Sequence, residues 1–228
     1  MARAPAAFVL AAGLGTRLGA LGASTPKPLL RVGGRSLLER LLRRLAAAGV
    51  RHCVINVHHH AAKVMDAIGD GSACGLHVSY SVEAELLGVG GGVAAALPLL
   101  GTDPFIVANA DTVSDFDFGL LDPAALGGAD GLLVLGPKPP DQRRGDFSLR
   151  GGRVSFAGGG PRRSYVGAAL YRKRLFSSLE PGMPASMRPL WEDAIARGAL
   201  AGLAWDGGWR DAGTPERLAQ ARAEASGG

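Results

Sequence analysis

Leu10-Ala11-Ala12-Gly13-Leu14-Gly15-Thr16-Arg17-Leu18 continues a short apolar run that begins at Phe8, and Thr25-Pro26-Lys27-Pro28-Leu29 comes soon after it. Phe8 to Ala12 has the length and character of a buried strand. Gly13 and Gly15 let the chain turn tightly, so that bare backbone N–H groups face an anion. Arg17 adds a planar fork of donors that matches phosphate oxygens. Thr25 and Lys27 each precede a proline, which biases both towards extended backbone and presents the lysine on a stiff loop. A dinucleotide fingerprint needs glycine where Leu18 stands, and a P-loop needs Gly-Lys-Ser/Thr where Leu18-Gly19-Ala20 stands, so neither applies. The segment nevertheless reads as a site for nucleotide phosphates.

Outward from this point the pattern alternates. Ser36-Leu37-Leu38-Glu39 has capping-box spacing, and Leu38, Leu41, Leu42 and Leu45 recur at helical intervals up to Gly49, with Arg40, Arg43 and Arg44 on the opposite, wet face. Cys53 to Val57 reads as a strand, Ala61 to Ile68 as a helix, and Leu76 to Ser81 as a strand after the Gly69-Asp70-Gly71-Ser72 turn. Phe105 to Ala108 is a further strand that runs into Asn109-Ala110-Asp111. Beyond Gly127, short strands at Leu132 to Leu135 and Val154 to Phe156 are set among glycine, proline and arginine. Helices are expected over Trp191 to Ile195 and from Thr214-Pro215 to Ala225. Such alternation predicts an α/β fold with a doubly wound, mostly parallel (mixed) Rossmann-like sheet and ligands beyond the carboxyl ends of its strands.

Bulk composition sets the outer limits. With 228 residues, 47% of them hydrophobic, the chain suits one large domain, read as two halves over about 1–112 and about 113–228. The net charge of +5 comes from scattered arginines rather than a basic run, which favours a small anionic substrate over nucleic acid. Cys53 and Cys74 lack metal-ligand spacing and read as free thiols of a reducing compartment. No signal peptide and no apolar run of membrane-spanning length is evident, so a cytoplasmic protein without a membrane partner is expected.

The double motif resembles the opening signature of the sugar-phosphate nucleotidyltransferases, L-A-A-G-x-G-T-R-L followed by T-P-K-P-L. That resemblance implies the nucleotide-diphospho-sugar transferase fold and transfer of a nucleotidyl group from a nucleoside triphosphate to a sugar 1-phosphate, with release of pyrophosphate. Arg17 and Lys27 become the catalytic cations. Ala11, Ala12, Gly13, Gly15, Thr16 and Arg17, with Gly91 of the later Gly90-Gly91-Gly92, become the nucleotide-binding set. Lys27, Asn109, Gly145 and Asp146 fall to the substrate. Spacing leaves Asp211 in Trp209-Arg210-Asp211-Ala212-Gly213-Thr214 undecided between a ligand and a turn aspartate. The family carries an aspartate there and another at Asp111, and by position these two hold Mg²⁺. Ala110 replaces the glycine usual in the family.

Among such enzymes the chain is most similar to the bacterial N-acetylmuramate 1-phosphate uridylyltransferases, through Val54-Ile55-Asn56, Gly69-Asp70-Gly71-Ser72, Gly90-Gly91-Gly92, Arg144-Gly145-Asp146-Phe147 and Trp209 to Leu218. UTP is therefore the favoured nucleotide and cell-wall recycling the expected setting, in a monomer or small homo-oligomer. Mannose 1-phosphate guanylyltransferases share most of these marks. A nucleotide-sugar sensor is a third reading, although the cations and aspartates such a sensor loses are present. Nucleotide transfer to a molybdenum cofactor is a fourth, which the C-terminal Trp-Arg-Asp-Ala-Gly-Thr block opposes. Two departures stand out. Gly88-Val89 replaces the Glu-Thr that precedes the triple glycine in the uridylyltransferases. The Glu-Lys-Pro near the sugar phosphate is absent, with Arg162 and Arg163 in roughly that region as substitutes or as loop arginines. His58, His59 and His60 diverge on any regular element and are not expected to hold zinc. Glu83 and Glu85 read as a solvated pair, and Trp191 and Trp205 as packing residues.

Overall fold

The computed structural model describes residues 4–226. Its first half comprises β1 (Ala7–Leu10), α1 (Ala20–Ser24), the two short strands β2 (Arg31–Val32) and β3 (Arg35–Ser36), α2 (Leu37–Ala47), β4 (His52–Val57), α3 (Ala61–Ile68), β5 (His77–Val82), α4 (Gly88–Ala96) and β6 (Phe105–Asn109). There follow β7 (Thr112–Ser114), β8 (Gly131–Gly136), β9 (Phe147–Arg150), β10 (Arg153–Ser155), β11 (Arg162–Tyr171), α5 (Met187–Ala196), β12 (Leu200–Ala204), β13 (Trp209–Asp211) and α6 (Pro215–Ser226).

Nine strands form one sheet in the order β5-β4-β1-β6-β11-β8-β12-β10-β9. The first four run parallel, β11 pairs antiparallel with both β6 and β8, and β12 pairs parallel with β8. The sheet is thus parallel in the N-terminal half and mixed beyond it. Strand residues alternate between two cores. Val9, Cys53 and Ile55 pack with Leu38, Leu41, Leu42 and Leu45 of α2 on one face. Phe8, Val54, Phe105 and Val107 pack on the other with Val93 and Ala96 of α4 and Met187, Leu190 and Ala194 of α5. Burial on both faces explains why these strands read as unbroken apolar runs.

Half of the capping box forms: Ser36 Oγ accepts the Glu39 N–H at 3.1 Å, while the Glu39 carboxylate pairs with Arg35 and Arg43. The wet face of α2 is narrower than its spacing suggests. Arg43 is exposed, but Arg40 and Arg44 are half-buried and donate to the Val32 and Phe116 carbonyls. Several elements are not signalled by sequence, and two of them matter most for the architecture. One is α4, whose glycines each cost a helix about 1 kcal/mol relative to alanine. The other is β11, ten residues long and central in the sheet. A third, smaller core joins Leu18 and Leu30 to Ala212, Leu218 and Ala221, which seats α6 beside the glycine turn.

Candidate active site

Parallel pairing aligns the carboxyl ends of three strands. Leu10 of β1 lies opposite Asn56 of β4 on one side and Asn109 of β6 on the other. The chain leaves β1 through Ala11, whose N–H donates to Asn56 Oδ1 at 2.7 Å, and turns at Gly15 with φ of 66°. That left-handed conformation favours glycine. A Cβ added at Gly13 would meet nothing within 4 Å, so this part of the turn borders open space.

The space is a cavity of about 360 Å³, of the size that takes a small-molecule ligand. Ala11, Ala12, Gly13, Gly15, Thr16, Arg17, Lys27, Asn109 and Asp111 all line it. Arg17 makes no hydrogen bond or ion pair among the described residues. Lys27, held on a short 3-10 turn, is 11% exposed and forms an ion pair with Asp111. The cavity therefore holds one free guanidinium and one partly buried ammonium that is already aimed.

Asp211 reaches this neighbourhood through tertiary pairing. β13 pairs antiparallel with β7, so that Asp211 lies opposite Thr112, and the Ala212 N–H donates to the Asp111 carbonyl at 2.8 Å. Two aspartates a hundred positions apart are thereby placed on neighbouring chain segments. Asp211 Oδ1 caps the following turn by accepting the Gly213 N–H at 2.9 Å. Gly213 lines the main cavity, and a Cβ there would lie 3.0 Å from Arg17 Nη2. Asp211 itself lines a second cavity, about 220 Å³, together with Lys138, Trp209 and Arg217. Arg217 of α6 pairs with Asp211 and also with Asp141 at 2.6 Å. The Arg217 hydrogen bond holds the Asp141 carboxyl below the usual range, and the same bond raises the guanidinium. As a donor set, two carboxylates suit a hard cation that keeps water and phosphate in its remaining positions. Among the described residues no group of three or more His, Cys, Asp or Glu forms a metal cluster.

The other expected residues lie apart from the main cavity. Gly91 sits inside α4, its N–H donating to the Ala185 carbonyl at 3.1 Å. Gly145 is buried against the Arg163 backbone, and Asp146 accepts from Gln142 Nε2 and the Tyr165 N–H, each at 2.9 Å. Arg162 and Arg163 are not loose loop residues. They open β11 and donate to backbone carbonyls, Arg162 to Gly145 and Phe156, Arg163 to Leu135 and Trp205. Burial lowers the Arg162 guanidinium from its ordinary value.

Glu83 departs most from expectation. Rather than a solvated partner of Glu85 it is 5% exposed, lines the cavity and accepts from Asn56 Nδ2 and the Leu87 N–H. Its i, i+2 spacing to Glu85 concealed this because β5 ends at Val82, so strand alternation no longer applies. The histidines diverge only in part: His58 bonds the Glu83 carbonyl and His60 the Ala23 carbonyl, but the His59 and His60 rings lie 3.9 Å apart, because His60 leaves regular backbone geometry at φ 59°. Trp191 packs on Phe147 and Tyr165, and Trp205 on Phe116. Burial drives the Cys53 thiol well up from its ordinary range, which makes it inert packing. No helix among the described residues is long and apolar enough to cross a membrane.

Comparison with known proteins agrees with this geometry. Over 96% of its length the chain is 39% identical to N-acetylmuramate alpha-1-phosphate uridylyltransferase of Neisseria meningitidis serogroup B, 97% of which is covered. It is 35% identical over 98% of both chains to the enzyme of that name from Caulobacter vibrioides. Mannose-1-phosphate guanylyltransferase of Mycobacterium tuberculosis is 42% identical, but over 50% of this chain and 32% of its own. A crystal structure from Bacillus anthracis, assigned provisionally as a glucose-1-phosphate thymidylyltransferase, superposes with a TM-score of 0.86 at 22% identity, covering 97% and 95% of the two chains, and shares the fold. The nucleotidyl transferase family matches residues 6–145, the stretch that carries the glycine turn, the lysine loop and Asp111, and the chain belongs to that family.

Proposed function

We propose that this nucleotidyltransferase joins UTP to N-acetylmuramate 1-phosphate, giving UDP-N-acetylmuramate and pyrophosphate. The observation that carries the chemistry is the convergence of Arg17, without a partner among the described residues, the Lys27–Asp111 pair and the glycine turn on one cavity. What supports the sugar is similarity over nearly the whole chain to two uridylyltransferases. A phosphate oxygen of the sugar phosphate bonds to the α-phosphorus as the bond from that phosphorus to the pyrophosphate oxygen breaks. No general base is required, because the second pKa of a phosphate monoester is about 6 and the attacking oxygen is already ionised.

The chain's task is to bring two anions together in line and stabilise the charge that shifts between them. In this reading the backbone amides from Ala12 to Gly15 and the Arg17 fork hold the triphosphate, while the Ala11 N–H is taken by Asn56. Lys27 projects its charge from a rigid loop to where the two phosphates meet, and Asn109 stands at the substrate. Asp111 and Asp211 would hold Mg²⁺, which neutralises phosphate oxygens. We assign both halves to one domain, the nucleotide bound over about 1–112 and the sugar over about 113–228, Gly145 and Asp146 shaping the sugar side. A cytoplasmic location follows from the supply of UTP there.

A second reading, with GTP and mannose 1-phosphate, is favoured by one feature. Gly88 and Val89 line the cavity where the uridylyltransferases have Glu-Thr, so those positions offer no polar side chain to choose a base. Pyrophosphate release is to be measured with N-acetylmuramate 1-phosphate and mannose 1-phosphate against UTP, GTP, CTP, ATP and dTTP, with Mg²⁺ and with EDTA. Metal-dependent release selective for UTP and N-acetylmuramate 1-phosphate is expected. Preference for GTP with mannose 1-phosphate would replace that substrate assignment, and nucleotide binding without release in any pair would make the protein a sensor.

A further inference from the structure

Asn56 and Glu83 are 2% and 5% exposed, yet both line the main cavity. Burying an amide and a carboxylate is costly unless their donors and acceptors find partners, and here those partners form a line. The Ala11 N–H donates to Asn56 Oδ1 at 2.7 Å. A backbone N–H can only donate, so this bond fixes which way the amide faces. Asn56 Nδ2 consequently points to Glu83 and donates to Oε1 at 2.7 Å. Glu83 Oε2 in turn accepts the Leu87 N–H at 3.1 Å. Three consecutive hydrogen bonds thus run from the first residue of the glycine turn to the N-cap residue of α4.

The triple glycine fits the same arrangement. A Cβ at Gly92 would fall 2.7 Å from Glu83 Oε1 and 3.0 Å from Asn56 Nδ2, so glycine is what lets α4 lie against the pair. Leu86, Gly88 and Val89, on either side of the Leu87 anchor, form part of the cavity wall. We propose that Asn56 and Glu83 are positioning residues that tie the phosphate-binding turn at Ala11 to the α4 loop at Leu87 and so set the spacing between them. The proposal rests on the reading that this cavity takes the nucleoside triphosphate. A carboxylate is needed at 83 because two donors converge on two different oxygens. A carboxamide turns its own NH₂ group against one of them.

The test measures KM for UTP and for N-acetylmuramate 1-phosphate, each varied at saturation by the other, together with calorimetric binding of UTP. Wild type, Asn56→Ala, Glu83→Gln, the double variant and Gly92→Ala are compared below their melting temperatures. Both single variants are expected to raise the UTP KM about tenfold, the cost of a buried donor left unpaired, while the sugar phosphate KM stays within about twofold. The double variant should be no worse than the worse single, because the bonds act in series. Gly92→Ala should move UTP in the same direction by less. Hydrogen exchange of wild type adds a readout free of substitutions, UTP slowing the Ala11 and Leu87 amides together. Unchanged UTP constants in folded variants, both KM values rising equally, or UTP protecting only one of the two amides would overturn the proposal alone. Wild type that neither binds nor turns over UTP or GTP would overturn the reading of the cavity and the proposal with it.

Discussion

The two halves of the molecule use their polar side chains in opposite ways. On the parallel side, built on β1, β4 and β6, Arg17 has no hydrogen-bond or ion-pair partner among the described residues, and the Lys27–Asp111 pair and Asn109 border the same cavity. On the mixed side, built on β8 to β12, Arg162, Arg163 and Asp146 are engaged with carbonyls and amides of their own half. Asp130 belongs with them. It is nearly buried and accepts from both Arg174 and Arg197. The lesson is that chemical type does not separate a working group from a framework group. What differs between the two sides is where the side chains end: Arg17 and the Lys27–Asp111 pair border a cavity, whereas Arg162, Arg163 and Asp130 are taken up by partners within their own half.

Substitutions on the two sides should therefore fail differently. The largest effect is expected for Asp111→Asn, which removes a carboxylate from the cavity; kcat should fall about a thousandfold with the melting temperature held, as followed by pyrophosphate release and calorimetry. Lys27→Ala should cost about a hundredfold in kcat/KM, while the fold remains intact by circular dichroism. Losses under threefold in either variant would erase the contrast between the halves.

Arg217→Ala sharpens the boundary, since this residue bridges Asp141 and Asp211. A group that orients a metal ligand typically changes metal affinity by about 10–100-fold, so titrating activity with Mg²⁺ should show a shifted half-saturation at saturating substrates, whichever way the lost positive charge and the lost orientation balance. An unmoved titration would assign Asp211 to the framework.

The smallest functional effect belongs to Asp130→Asn. We expect turnover within about twofold of wild type and a stability loss of about 1–2 kcal/mol by urea titration, the modest figure reflecting two half-exposed arginines. Burial pushes the Asp130 carboxyl up, but the hydrogen bonds from Arg174 and Arg197 prevail and hold it below its ordinary value. A depressed folded pKa contributes stability that is complete above the unfolded value of about 3.9 and is lost as pH falls through the folded one. Wild type should accordingly keep a constant margin over the variant between about pH 6 and 8 and lose it below about pH 4.

Much of the parallel half was legible because its signals are local. The N-cap at Ser36, the leucine spacing of α2 and the apolar runs of β1, β4 and β6 depend on periodicity and short-range bonds, and each formed close to the expected place. α4 was not legible, because its reason to be helical lies elsewhere in the chain. Glycine at 91 and 92 is a poor helix former, yet it admits the Met183–Ala185 backbone and the Glu83 carboxylate at distances a side chain would forbid. β11 was hidden in the same way, its two opening arginines reading as loop while its place between β6 and β8 makes it a central strand.

The sequence by itself determined the glycine turn, the stiff lysine loop, the alternation of strand and helix, and through its double motif the family. These follow from backbone freedom and spacing within a few dozen residues. Only the tertiary structure decided which charged groups stay free, that Asp211 stands opposite Thr112, and that Glu83 lies buried beside Asn56. Such outcomes depend on strand pairing and on competition for hydrogen bonds between residues far apart in the chain, and no local pattern encodes which partner will arrive first to satisfy a buried charge.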